Sequence, residues 1–365
     1  MKQRKRRSSI VERKKEVLTS LANLGGKIYG QLDKGNFPSI EMPSRSTDNI
    51  KYDEFLRQFI LGDRMVRRSA RNIRHVKPFT QLVWTALFSN ELTSQRKTST
   101  LRDVYYSAQA YEMTFKDQQE SNNIITDLET VLGLSREDFN IFPEERSAVF
   151  GDLTIEYTVP GYEGKTLDLT SHPDGVLIGP ALTSSEFVKT SADKVIAIEK
   201  GGLFTRFIEE SVHRKYNSIL VLTAGQAPRA TRHFIRRLNE ELNLPVFIFT
   251  DGDPWGMHIA MVIISGSANA AHLRELNTPD AKWSGVWATD IVNYKLPSDP
   301  LDEVDIKRLN ELQRDPRYKN PLWLKEIKTF LKIKKKAEQE AFSRYGLTYI
   351  VDEYLPAKLE ETRDG

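Results

Sequence analysis

The sequence predicts a mixed α and α/β multidomain protein, with a helical N-terminal half followed by a domain built on a parallel sheet. Three features lead to this reading. A chain of 365 residues exceeds what one compact core usually organises. Apolar residues recur at helical spacing from about residue 53 to 134. Between 185 and 265 three short apolar runs alternate with helical stretches, the rhythm of βαβ units.

Composition narrows the function classes. Hydrophobic residues make up 39% and charged residues 28%, and no apolar stretch reaches the roughly 18 residues of a membrane span. The chain has no cysteine, which excludes a disulfide framework, thiolate zinc sites and cysteine nucleophiles. No signal peptide is apparent, so a cytoplasmic protein is expected. Net charge is only +3, because 53 basic residues face 50 acidic ones, so nucleic-acid binding has to be argued from local distribution.

The chain opens on the basic run MKQRKRRS, a solvated tail or a DNA-contacting arm. Ile10, Val17, Leu21, Leu24 and Ile28 then share one helical stripe, which needs something to cover it. Residues 35–48, with Pro38, Pro43 and several Ser and Thr, read as a linker. Helices are expected at 53–61, 78–90, 99–112 and 121–133, the last with Ile124, Ile125, Leu128, Val131 and Leu132 on one face behind a Ser121 cap. RSAVFGDLTIEYTVPG (146–161) alternates around Gly151 and ends in Pro-Gly, which predicts a hairpin. Helices closed by a hairpin fit a winged-helix DNA-binding domain.

VIAIE (195–199), ILVLT (219–223) and VFIFTD (246–251) are the expected parallel strands, buried on both faces. A strongly charged helix is expected around 321–342. Glu199 closes the first apolar run, and Asp251 and Asp253 close the third. Ligands of open parallel sheets bind beyond the carboxyl ends of the strands, so these acids should converge there. Hard oxygen donors suit Mg²⁺. The D-x-D spacing is equally what a helix N-cap produces.

A second constellation lies in STLRDVYYSAQAYE. A Tyr105-Tyr106 pair inside a helix usually packs, but Arg102 lies four residues before Tyr106, on the same helix face. A nearby guanidinium favours the phenolate and can hold a phosphate.

VIAIEKGG, ILVLTAGQAPRATRHF and VFIFTDGDPWG together resemble the Toprim module of topoisomerases and primases. DGDPWGMHIA, with Gly225, Gln226, Pro228, Arg229 and Arg232 upstream, is similar to the type IIB topoisomerase A-subunit family and its meiotic double-strand-break relatives. LRDVYYSAQ, LGDRMVRRSARNIRHVKPFTQLVW, ESNNIITDLETVLGLSREDF and DEYLPAKLEE extend the resemblance over about residues 50–360.

The resemblance implies a winged-helix (CAP-like) DNA-binding domain plus a Toprim domain with a Rossmann-like sheet. It divides the chain into an extension and linker (1–48), a winged-helix domain (49–160) and a Toprim domain with helical elaborations (161–365). It implies Tyr106 as nucleophile, Tyr105 as its packing partner and Arg102 on the scissile phosphate. Glu199 and Asp251 would be the principal Mg²⁺ ligands, and Asp253 an additional or second-metal ligand. It implies transient double-strand breaks in duplex DNA through 5′-phosphotyrosyl links, made by a homodimer of A subunits. ATP would be bound not by this chain but by a GHKL-type B subunit in an A2B2 heterotetramer. The N-terminal stripe is expected to dock on that B subunit or to fold back on its own domain. The alternatives are a meiotic-type break-former without strand passage, or a non-catalytic winged-helix protein with a degenerate metal site.

Other signals carry less. GYEGKT (161–166) is not a P-loop, since position 159 is Val159 where the motif needs glycine. Six histidines show no zinc-hydrolase spacing, and His258 reads as structural or as facing the metal site. Arg206, Arg229 and Arg232 suit phosphate binding or local ion pairs.

Overall fold

A computed structural model describes residues 10–144, 146–273 and 275–363, so the basic run at the start lies outside the described residues. The chain forms two compact units. One comprises Met1–Lys51, Ile60–Glu144 and Ala268–Leu273; the other comprises Tyr52–Phe59, Glu145–Ser267 and Arg274–Gly365. None of the helices among the described residues is long and apolar enough to cross a membrane.

In the first unit, α1 (Ile10–Asp33) packs on α2 (Ile73–Gln95), and β1 (Ser39–Pro43) runs antiparallel to β4 (Met65–Ser69). The linker expectation for 35–48 therefore fails. Prolines at 38 and 43 mask a strand whose Ile40 and Met42 face the core. β2 (Ile50–Asp53) and β3 (Gln58–Leu61) form a two-stranded ribbon where a helix over 53–61 is expected, and its Tyr52–Phe59 portion belongs to the second unit. Asp53 turns the chain by accepting the Leu56 N–H, and Tyr52 meets Phe59 edge-on.

α2 starts at Ile73, five residues before the expected start, behind Asn72, whose side chain accepts the Arg74 N–H. α3 (Leu101–Ala110) opens with a reciprocal Thr100–Asp103 capping box, and β5 (Ser99–Thr100) pairs with β6 (Ile141–Phe142). α4 (Gln118–Leu132) is capped by Asp117 rather than Ser121, which lies buried one turn inside, and it ends on Gly133 at φ 66°. Ile124, Ile125 and Leu128 meet Leu82, Val104 and Phe139 in the core.

The N-terminal stripe belongs to that same core. Val17, Leu21 and Leu24 are 0%, 5% and 7% exposed, with Ile28 packed beside them; the side chain of Ile10 lies outside the described residues. Docking of this stripe on a B subunit is thus overturned, because its apolar face already covers α2 and the helices behind it. Buried charge in this unit is paired. Asp127 is held by Arg45 at 2.6 Å and Arg68 at 2.5 Å, and Glu129 by Arg136 at 2.8 Å and His272 at 3.2 Å.

The second unit begins with β7 (Ala148–Phe150), β8 (Leu153–Glu156), β9 (Thr166–Asp168), β10 (Val176–Leu177), α5 (Pro180–Thr183) and β11 (Glu186–Thr190). β12 (Lys194–Ile198), α6 (Gly201–Glu209), α7 (Val212–Lys215), β13 (Ser218–Leu222), α8 (Arg229–Leu242), β14 (Val246–Phe249) and α9 (Pro254–Ser265) follow. The rest is β15 (Lys282–Gly285), α10 (Ala288–Asn293), β16 (Asp299–Pro300), α11 (Glu303–Arg314), α12 (Pro321–Ile333), β17 (Lys335–Lys336) and α13 (Leu355–Glu361).

The main sheet has the order β10-β7-β13-β12-β14-β15, in which β13, β12, β14 and β15 are parallel. The expected wholly parallel sheet is corrected to a mixed one, since β7 runs antiparallel to both of its neighbours, β13 and β10, at one edge. Every residue of Val195–Ile198 is fully buried, which is why these strands read as unbroken apolar runs.

The hairpin expected over 146–161 does not form. β7 joins the main sheet, while β8 pairs with β9 and β11 in a second sheet. Gly151, at φ 147°, makes the crossing; a Cβ there would sit 3.0 Å from the Ile219 Cα. The long charged helix is also shorter than expected. α12 stops at Ile333, Lys334 turns the chain at φ 51°, and 335–336 become a strand.

Candidate active site

The carboxylate site lies at the carboxyl ends of the central strands. Ile198 of β12 is in register with Phe249 of β14, so Glu199 and Asp251 emerge side by side. The Glu199 N–H donates to the Phe249 carbonyl at 3.0 Å, and Glu199 Oε2 accepts the Asp251 N–H at 2.9 Å. Asp251 Oδ1 accepts the Gln339 N–H at 3.0 Å, and the Lys200 ammonium lies 3.1 Å from Asp251 Oδ2.

Asp253 does something different. Its Oδ1 caps α9 by accepting the Gly256 N–H at 2.6 Å. The N-cap reading of the D-x-D spacing holds for Asp253, while Asp251 lies beside Glu199 and the charge of Asp253 acts on both.

The rest of DGDPWG follows from packing. Gly252 exchanges backbone hydrogen bonds with Ala337 at 2.8 and 3.0 Å, and a Cβ on it would meet the Ala337 carbonyl oxygen at 3.1 Å. Pro254 occupies the first turn of α9, where its missing N–H costs nothing. A Cβ on Gly256 would fall 2.2 Å from the Asp251 carbonyl oxygen.

Electrostatics mark this cluster as crowded with negative charge. Burial, then the Asp251 charge, pushes the Glu199 carboxyl up to about 7. Burial pushes Asp251 up to about 6, against the pull of the Gln339 N–H and Lys200. Asp253 is also raised, chiefly by burial, with Asp305 adding to the effect and Lys336 opposing it. Among the described residues, no three carboxylates or histidines close around one point. The donor set nevertheless fits a hard divalent cation: it is all oxygen, and the repulsion within it is what such a cation relieves.

In the other unit, α3 presents Tyr106, 54% exposed, while Val104 and Ala108 point into the core. Tyr105 packs against that core and meets Tyr106 edge-on at 5.2 Å. Arg102 is exposed and forms no ion pair among the described residues. The structure therefore separates the two tyrosines by environment, one supporting and one presented.

Arg206 pairs with Glu209 at 3.0 Å, and Arg232 is buried. Burial, with the Arg308 and Arg317 charges, holds His258 down at about 4. Lys200 was not singled out from the sequence, although it directly follows Glu199. Glu338 and Gln339 were not either, because they reach the site from 87 and 88 residues beyond Asp251.

Residues 194–359 match the Toprim domain of the topoisomerase 6 A-subunit/Spo11 family, and residues 77–141 match type IIB DNA topoisomerase. The chain is 49% identical over 354 residues to the A subunit of type 2 DNA topoisomerase 6 from Methanothermobacter thermautotrophicus, covering 96% of this chain and 99% of that protein. It is 39% identical to its counterpart from Archaeoglobus fulgidus (96% and 98% covered) and 38% identical to that of Halobacterium salinarum (95% and 96%). A strand-end glutamate joined to a D-x-D loop, a presented tyrosine and end-to-end similarity to these relatives lead to one conclusion: the chain belongs to the type IIB DNA topoisomerase family, among the topoisomerase 6 A subunits.

Proposed function

We propose that the chain is the DNA-cleaving subunit, with Tyr106 as the nucleophile and Glu199 and Asp251 as the principal holders of Mg²⁺. The observation that supports this reading is the Glu199–Asp251 junction, a half-buried and a buried acid held together at the strand ends by the Asp251 N–H bond to the Glu199 carboxylate. Asp253 is an auxiliary ligand through the oxygen not used in capping.

The Tyr106 hydroxyl oxygen attacks a backbone phosphorus, and the bond from phosphorus to the 3′-oxygen breaks. The phenol proton is lost, and the departing 3′-oxygen becomes a hydroxyl, leaving the 5′-phosphate on the tyrosine. Arg102, one helical turn before Tyr106, holds the phosphate and favours the phenolate. When bound, Mg²⁺ supplies Lewis-acid stabilisation of phosphate charge. Religation is the reverse.

Each chain carries one such tyrosine and duplex DNA has two strands, so the active form is a homodimer, one protomer's tyrosine working with its partner's carboxylates. The helical unit is read as a winged-helix DNA-binding domain. Strand passage rests on an ATPase B subunit in an A2B2 complex, because no phosphate-binding loop is present in this sequence. Near-complete coverage of topoisomerase 6 relatives favours the topoisomerase reading over a break-former without strand passage.

The test is to denature a cleavage reaction containing the chain, supercoiled DNA and the B subunit, then map the covalent adduct. It should lie on Tyr106 and vanish with Glu199→Ala or Asp251→Ala, while salt-sensitive DNA binding persists. Normal cleavage by both acid variants would remove the metal assignment.

A further inference from the structure

The D-x-D loop is held from the far side by residues 337–339, and the same segment brings a carboxylate that nothing above uses. Gly252 and Ala337 bond reciprocally, and the Gln339 N–H fixes Asp251 Oδ1. Between these contacts stands Glu338, whose Oε1 lies 3.6 Å from the Lys200 ammonium. That ammonium is also 3.1 Å from Asp251 Oδ2. Lys200 thus stands between two acids with unlike surroundings. Asp251 is buried, its side chain 8% exposed, whereas that of Glu338 is 65% exposed. Glu340 lies near Gly202, on the first turn of α6.

Asp251 Oδ1 already has a backbone donor, so the face open to a cation is the Oδ2 side, where Lys200 sits. An ammonium and a divalent ion repel each other and cannot share that oxygen at close range. A flexible lysine stem can swing its charge to a second acceptor, and Glu338 is one within reach.

We propose that Lys200 competes with the divalent cation for Asp251 Oδ2, and that Glu338 is the positioning residue that receives the ammonium when the cation wins. The pair sets the metal affinity of the site. This rests on Asp251 being a metal ligand, and the experiment separates the two claims.

Mn²⁺ is titrated into the full-length chain without DNA or B subunit, and free Mn²⁺ is followed by its electron paramagnetic resonance signal, with Mg²⁺ as competitor. Lys200→Met, which keeps the aliphatic stem, should tighten Mn²⁺ binding about tenfold, and Lys200→Arg should stay near wild type. Glu338→Gln should weaken binding about threefold, because the ammonium loses its alternative acceptor. In the Lys200→Met background, Glu338→Gln should change nothing beyond about twofold, since its effect runs through the lysine. If Lys200→Met misfolds, judged by circular dichroism, Lys200→Gln takes its place with the same expectation.

Unchanged or weaker binding in a folded Lys200→Met or Lys200→Gln chain overturns the competition. Equal weakening by Glu338→Gln in both backgrounds overturns the hand-over and makes Glu338 a direct contributor of charge. Asp251→Asn should abolish the binding. Should it bind Mn²⁺ like wild type, the metal reading itself fails; should it lose Mn²⁺ while Lys200→Met stays unchanged, only the lysine proposal fails.

Discussion

Gly256→Ala puts one methyl group where the site has no room. The added Cβ falls 2.2 Å from the Asp251 carbonyl oxygen, against 3.4 Å for ordinary contact, so about 1.2 Å must be absorbed. The obstacle is backbone, so no rotamer change relieves it. Either α9 moves, which lengthens the 2.6 Å Asp253 cap, or Asp251 moves, which breaks its 2.9 Å bond to Glu199 or its 3.0 Å bond from Gln339. Overpacking costs roughly 1–3 kcal/mol, and losing the cap or one hydrogen bond adds about 1 kcal/mol. The expected loss of stability is therefore about 2–4 kcal/mol, read from urea midpoints of the purified chain. A misplacement of about 1 Å at reacting groups costs on the order of 100-fold in rate, so linearisation of supercoiled DNA by the complex should fall by about that factor. Gly201→Ala is the control for stability, since a Cβ there meets nothing within 4 Å. A Gly256→Ala chain with wild-type midpoint and cleavage rate would refute the claim that this glycine sets the geometry of Asp251.

Further outcomes follow from the same structure. Tyr106→Phe should abolish the covalent DNA adduct with no change in unfolding midpoint, because only an exposed hydroxyl is removed; a dead Tyr105→Phe beside an active Tyr106→Phe would shift the nucleophile by one. Leu21→Ala should destabilise the first unit by about 2–5 kcal/mol in urea unfolding, and an unchanged midpoint would mean that α1 does not cover the core. His258 sits at about 4, below its ordinary value, so its contribution is complete above about pH 6.5 and is lost as pH falls toward 4. His258→Gln should flatten stability across that window by at most about 3 kcal/mol; equal pH dependence in both proteins would refute the burial argument.

How much was legible depended on whether the signal was local. β12, β13 and β14 could be read from their apolar runs because a parallel strand buried on both faces has no polar alternation to disguise it. Glu199 and Asp251 followed from their places at strand ends, and the face of α4 from its period. The strand at 39–43 was hidden by its prolines, and the 53–61 ribbon by apolar residues whose spacing also suits a helix. At 146–161 the alternation was real, but β7 and β8 take partners in different sheets, and pairing is a non-local choice.

Residue order placed a helix-borne tyrosine with an arginine one turn before it, and acids closing apolar strands, but short spacing left each open to a packing or capping role, and only the resemblance of the surrounding motifs implied chemistry for them. Residue order also implied an amphipathic N-terminal helix. What covers that helix was settled by tertiary packing: a stripe states that an apolar face must be buried, not against what, and here Val17, Leu21 and Leu24 enter the core of their own unit. The division of labour between Asp251 and Asp253, and the contact of Lys200 with Asp251 and Glu338, were likewise settled in three dimensions. The Lys200 contacts join segments far apart in the chain, and charge acts through space with no regard for sequence separation.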